Sequence, residues 1–120
     1  SVSSFIAMPD KVKNDRDQVI RFVEAMYAGS DFRNTDFDQN CQYAADLTGL
    51  SIDSMTGSKL DADWVDAATI HELANNGEML KYYEIQQKNF LESGAIEEEV
   101  PVENYVHFDI MNEAYDAYIK

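Results

Sequence analysis

The sequence predicts a mainly α-helical chain, with one N-terminal strand followed by about five helices. Three observations predict it. Apolar residues recur at spacings of three and four from residue 14 to the C-terminus; glycine and asparagine sit between the periodic stretches; and only Val2–Met8 is a short apolar run of strand length.

Val2–Met8 reads as a strand because Pro9 biases Met8 away from helix and turns the chain. Asn14 then caps a helix with Asp15 and Asp17 in its first turn, and Val19, Ile20, Phe22, Val23, Met26 and Tyr27 share one broad apolar face. Gly29 weakens its end, while Asp31 and Phe32 can extend it. Thr35 or Asp36 opens a second helix in which Phe37, Cys41, Tyr43, Ala44 and Leu47 recur, and Gly49 is placed as a left-handed stop. Ser51 caps a short helix or turn that Thr56-Gly57-Ser58 interrupts.

Asp61 or Asp63 caps a stretch through Trp64, Val65, Ala68, Ile70 and Leu73, ended by Asn75-Asn76-Gly77. Glu78 begins a helix carrying Met79, Leu80, Tyr83, Ile85, Gln87, Phe90 and Leu91, and Gly94 before Ala95-Ile96 reads as its C′ glycine. A last helix starts at Pro101–Glu103, carries Tyr105, Ile110, Met111, Ala114, Tyr115 and Tyr118, and reaches Lys120. A lone strand cannot satisfy its own backbone groups, so Val2–Met8 needs an edge that this chain does not supply.

Length and composition set the function classes. The 120 residues form one domain or lobe, and seven Tyr, six Phe and one Trp give it core material. A net charge of −14 repels phosphate backbones and anionic lipid, which excludes nucleic acid as a partner. No apolar run is long enough to insert in a membrane, and Ser1–Met8 lacks the basic flank and length of a signal peptide. Cys41 is the only cysteine, so neither an internal disulfide nor a cysteine-built zinc site is available.

No motif assembles chemistry. His71-Glu72 opens like a zinc-protease helix, but Asn75 stands where the second histidine belongs and His107 lies in another helix. Asp36, Asp38 and Asn40 match the first ligand positions of a calcium loop, yet Cys41 replaces its glycine and Leu47 its bidentate glutamate. Asp61 with Asp63, and Glu97-Glu98-Glu99, read as solvated acids. Cys41 has no neighbouring base, and the glycines are dispersed rather than gathered into a phosphate loop. Tyr82, Tyr83, Tyr105, Tyr115, Tyr118 and Trp64 read as core aromatics with hydroxyls at the surface rather than as a ligand pocket. The expectation is no catalytic, cofactor-binding or metal-binding residue, and no enzyme activity.

Three segments carry a family resemblance. Ser4-Phe5-Ile6-Ala7 leading into Asn14–Ala25 is similar to a strand followed by N-P-E-x-V-x-x-F-x-x-A, with Asp15 in place of the proline. Residues 37–50 are similar to D-x-A-x-x-x-x-A-x-x-T-G-L, ending in Thr48-Gly49-Leu50. Residues 86–96 and 101–106 are similar to Q-x-x-F-L-x-x-G-x-I and P-V-x-x-Y-V. In this order they resemble the C-terminal part of ABC-importer solute-binding proteins of the nitrate, sulfonate, taurine and thiamine-precursor type.

That resemblance implies the end of a type II periplasmic-binding-protein α/β fold, with residues 1–13 as a hinge-crossing strand and turn and 14–120 as the helical region. It implies an extracytoplasmic parent that captures a small molecule by lobe closure and delivers it to an ABC permease. No ligand-contacting residue carries over to this stretch. Such a fragment is expected to self-associate as a dimer or higher oligomer through Phe5, Ile6 and Phe22 or Tyr27, with Val2–Met8 pairing between copies or a helix exchanged. The charge and length also fit a different class, a free-standing acidic helical protein-interaction domain, cytoplasmic in that case.

Overall fold

The computed structural model describes residues 3–120, and among them helix is the only regular secondary structure. The mainly helical class is therefore correct, and the strand is not. Ser3–Met8 has no regular secondary structure, and Met8, ahead of Pro9, is extended; Val2 lies outside the described residues. The described residues offer no sheet edge, so this segment is held by side chains instead. Ser4 Oγ lies 2.6 Å from the Tyr83 hydroxyl, and the Phe5 ring meets Phe22 edge-on with centroids 5.3 Å apart.

Pro9 starts α1 (Pro9–Asn14) rather than merely turning the chain. Its missing N–H removes nothing at the first helical position, and its fixed φ suits the helix. Asp15, at φ −124°, breaks α1 from α2 (Arg16–Thr35), which runs straight through Gly29. The side chains of Asn34 and Thr35 bond back to the carbonyls of Ser30 and Asp31 as α2 ends.

Asp36 is the cap of α3 (Phe37–Thr48), its carboxylate accepting the Gln39 amide at 3.2 Å, and Gly49 stops the helix at φ +73°. Ser51 caps α4 (Ile52–Gly57) by accepting from Ser54 N, as its position in sequence suggested, and a 3-10 turn follows at Ser58–Leu60. Helix α5 (Ala67–Asn75) begins later than Asp61 or Asp63, with Asp66 as its cap. Tertiary contacts claim the residues between. The Arg33 guanidinium sits 4.6 Å over the Trp64 ring, and the Trp64 indole donates to the Ser58 carbonyl at 3.2 Å.

Helix α6 (Glu78–Glu92) starts at the expected residue, and Gly94 closes it at φ +73° with Ala95 N donating to Phe90 O at 2.9 Å. The stretch at Pro101–Glu103 forms only a 3-10 turn, Val102–Asn104; α7 (Phe108–Tyr118) starts after it. Gln87 secures that loop, since its side-chain amide donates to the Val100 carbonyl and accepts the Val100 N–H, each at 2.8 Å.

The core lies where α2, α5 and α7 meet. Ile20, Tyr27, Ala67, Ile110 and Ala114 are buried there, with Val12, Val19, Val23, Ile70, Tyr115 and Tyr118 packed around them. Polar ties hold the same three helices. Arg16 reaches Glu113 at 2.8 Å and Asp109 at 3.2 Å, the Tyr27 hydroxyl donates to the Met111 carbonyl, and Asn75 and Asn112 exchange side-chain hydrogen bonds. The Asp31 carboxylate accepts the Ala67 N–H at 2.8 Å and the Tyr118 hydroxyl at 2.5 Å, so one α2 side chain anchors both α5 and α7.

This core is small for the chain. The accessible surface is 8636 Å², against about 6,600 Å² for a folded monomer of this mass. The radius of gyration is 16.2 Å, against about 14 Å for a compact domain of this length. Phe5, Ile6 and Phe22 are exposed as the sequence suggested, but Tyr27 is 2% exposed and belongs to the core.

Candidate functional site

Helix α3 carries apolar residues on two opposite faces. Cys41 and Ala45, one turn apart, are buried. Tyr43 and Leu47, also one turn apart, fall about 200° around the helix from them and are 61% and 89% exposed. Cys41 and Ala45, with half-buried Phe37 one turn before, thus meet the rest of the molecule while Tyr43 and Leu47 face outward, unlike a surface helix that is apolar on its covered side only. Phe32 of α2 stacks on Tyr43 with centroids 6.0 Å apart, and beyond Gly49 come Leu50 and Ile52, both exposed.

Acids frame this face. Asp36, just before α3, and Asp46, on it, fall on the Tyr43 side by helical spacing, Asp53 is in the first turn of α4, and all three are exposed. Lys59 is the one cation between Arg33 and Lys81, and its ammonium sits 5.3 Å from the Phe37 ring centroid. Asp36 is engaged in capping and Asp46 accepts from the Gln42 side chain at 2.8 Å, so both carboxylates are held in place on the helix.

Residues weighed for chemistry in the sequence are dispersed. His71 stacks flat on Tyr115, ring centroids 4.0 Å apart, and Asn75 pairs with Asn112. His107 is on the loop before α7, 3.7 Å from Asp109. Cys41 is a buried free thiol. Asp36, Asp38 and Asn40 lie on and before the first turn of a helix rather than around a loop, and Asp61 and Asp63 follow the 3-10 turn, away from Glu97-Glu98-Glu99. Among the described residues, no three His, Cys, Asp or Glu side chains converge to hold a metal ion. No helix there is long and apolar enough to cross a membrane.

The tyrosines divide among separate places rather than lining one pocket. Tyr115 and Tyr118 pack on the core with Tyr27, Tyr83 meets Tyr105 edge-on, and Tyr82 is exposed on α6. Burial pushes the Tyr27 hydroxyl up to about 12, helped by Tyr115. The Tyr118 hydroxyl is raised by its hydrogen bond to Asp31. Burial raises Tyr105. The hydroxyl and amide of Thr69 hold the Asp66 carboxyl below its ordinary range. Each shift follows from a structural bond or from packing, and none gathers at a cleft. The grooves are open and shallow, one beside Arg21 and Glu113 and one beside Ile85 and Val100.

Comparison with protein-family models, with curated proteins and with solved structures finds no match to this chain.

Proposed function

We propose that the chain is an acidic helical interaction domain that binds a basic partner and catalyses no reaction. The observation that carries this reading is the surplus of surface, 8636 Å² against about 6,600 Å² for a compact monomer. The difference is large enough for a stable protein interface. Its apolar parts are accompanied by a net charge of −14, which favours a cationic partner and speeds its approach.

Titration with a helical peptide bearing leucine on one face and lysine on the other tests the reading. Saturable one-to-one binding that weakens as salt rises supports it. An equal response to the same peptide with glutamate in place of lysine, or no response to either, refutes it.

The solute-binding reading stands as a second proposal, supported by the order of the three quoted segments and by the exposed Phe5, Ile6 and Met8. It loses the strand that a hinge crossing requires. In that reading the N-terminal face meets the remainder of an extracytoplasmic parent that serves an ABC permease, and isolated copies self-associate through it. An upstream reading frame of α/β periodicity with a secretory or lipoprotein signal supports this reading; its absence refutes it.

A further inference from the structure

Apart from Leu60, Trp64, Val100, Tyr105 and Ile119, the apolar surplus is spread over three places: the N-terminal segment, the outer side of α6 and the α3–α4 corner. They differ in electrostatic setting. Phe5, Ile6 and Met8 are followed by mixed charge, Asp10, Lys11, Lys13 and Asp15, with Lys11 paired to Asp15, and α6 interleaves Lys81 and Lys88 with its acids. The α3–α4 corner has Asp36, Asp46 and Asp53 on its helices against Lys59, while Arg33, next to Phe32, is engaged over the Trp64 ring. It is also the place where a helix with a covered face at Phe37, Cys41 and Ala45 carries a second apolar pair, Tyr43 and Leu47, on its opposite side, and that second face is accounted for only when something covers it.

Resting on the interaction-domain reading, we propose that Phe32, Tyr43, Leu47, Leu50 and Ile52 form the docking surface for a basic amphipathic helix. Tyr43 and Leu47 are one helical turn apart, so they match a partner helix that presents its own anchors at spacings of three and four. Lysines and arginines flanking those anchors meet the surrounding aspartates. The aspartates set the orientation and accelerate the encounter, and the buried leucines set the residence time. A second copy of this chain is the poorer occupant, because it brings the same aspartates to the same face.

The test uses the whole 120-residue chain and a fluorescent Leu/Lys helical peptide, followed by anisotropy. The Leu47→Ser/Leu50→Ser variant should bind at least about tenfold more weakly. Ile85→Ser, on α6, should bind within about twofold of the unmodified chain. Both variants alter exposed side chains, and an unchanged circular dichroism spectrum verifies the fold. Peptide binding that survives Leu47→Ser/Leu50→Ser, or that falls with Ile85→Ser instead, overturns the location and leaves the interaction-domain reading standing. No peptide binding to the unmodified chain overturns both. Light scattering that shows a dimer dissociated by Leu47→Ser/Leu50→Ser overturns the proposal in favour of a second copy on this face.

Discussion

Truncating two aliphatic side chains of equal size gives a direct test of how surface and core are divided. Ile110 is 2% exposed between α2, α5 and α7, whereas Leu47 is 89% exposed on α3. Ile110→Ala removes three carbons from the core, about 2.5 kcal/mol of transfer free energy, and the unfilled space adds about 1 kcal/mol. The expected loss is therefore about 3–4 kcal/mol, a large share of the roughly 5–15 kcal/mol that holds a domain folded. Leu47→Ala removes the same three carbons from water-exposed surface and should change stability by less than about 0.5 kcal/mol. Urea unfolding followed by far-UV circular dichroism reads both. With a slope of about 1.5 kcal/mol per molar, the Ile110→Ala midpoint falls by about 2 M and the Leu47→Ala midpoint stays in place. Equal losses for the two variants would mean that Leu47 is buried, contrary to its 89% exposure. A Leu47→Ala loss that grows with protein concentration would place it between copies of the chain.

Asp31→Ala leaves the partly buried Ala67 N–H without its acceptor; a loss of about 1–3 kcal/mol is expected, and hydrogen exchange at the Ala67 amide should speed up more than at amides within α6. Tyr27 has its hydroxyl raised to about 12 from an ordinary value of 10.0, so its contribution is complete below pH 10 and is lost as pH rises through about 12. Tyr27 should be among the last tyrosines to ionise by ultraviolet absorbance, and Tyr27→Phe should flatten the stability profile in that window; a midpoint already falling at pH 8–9 through Tyr27 would contradict its burial. Gly29→Ala, inside α2 with nothing within 4 Å of the added carbon, should stabilise by about 0.5–1 kcal/mol. Gly94→Ala, at φ +73°, should destabilise by about 1 kcal/mol, and thermal melts that rank the two the other way would count against both backbone assignments.

Local signals were legible in the sequence wherever the chemistry that fixes them is local. Asp36 and Ser51 cap helices by bonding an amide three residues on, and Gly49 and Gly94 adopt a conformation that side chains resist, so all four were readable without tertiary knowledge. Start points decided by tertiary partners were not. Trp64 and Val65 are held by Arg33, which delays α5 to Ala67, and Gln87 pins the Val100 backbone ahead of α7. Val2–Met8 has the composition of a strand, but pairing depends on an edge elsewhere, and Ser3–Met8 instead rests on Phe22 and Tyr83.

The candidate surface was half legible. Phe37, Cys41, Tyr43, Ala44 and Leu47 read as one recurring apolar set, although an angular plot divides Cys41 from Tyr43 by about 200°. Only the packing tells which side faces outward. The sequence pattern favours the larger side chains as the buried ones, and here Cys41 and Ala45 are buried instead.

Amide chemical-shift mapping with the unlabelled Leu/Lys peptide locates the docking surface. A saturable perturbation concentrated at Phe32, Tyr43, Leu47, Leu50 and Ile52, fading along α6 and absent from the core amides of Ile110 and Ala114, is expected. Perturbation centred on Ser3–Met8 or on α6, or uniform weak shifts that follow ionic strength alone, would contradict it.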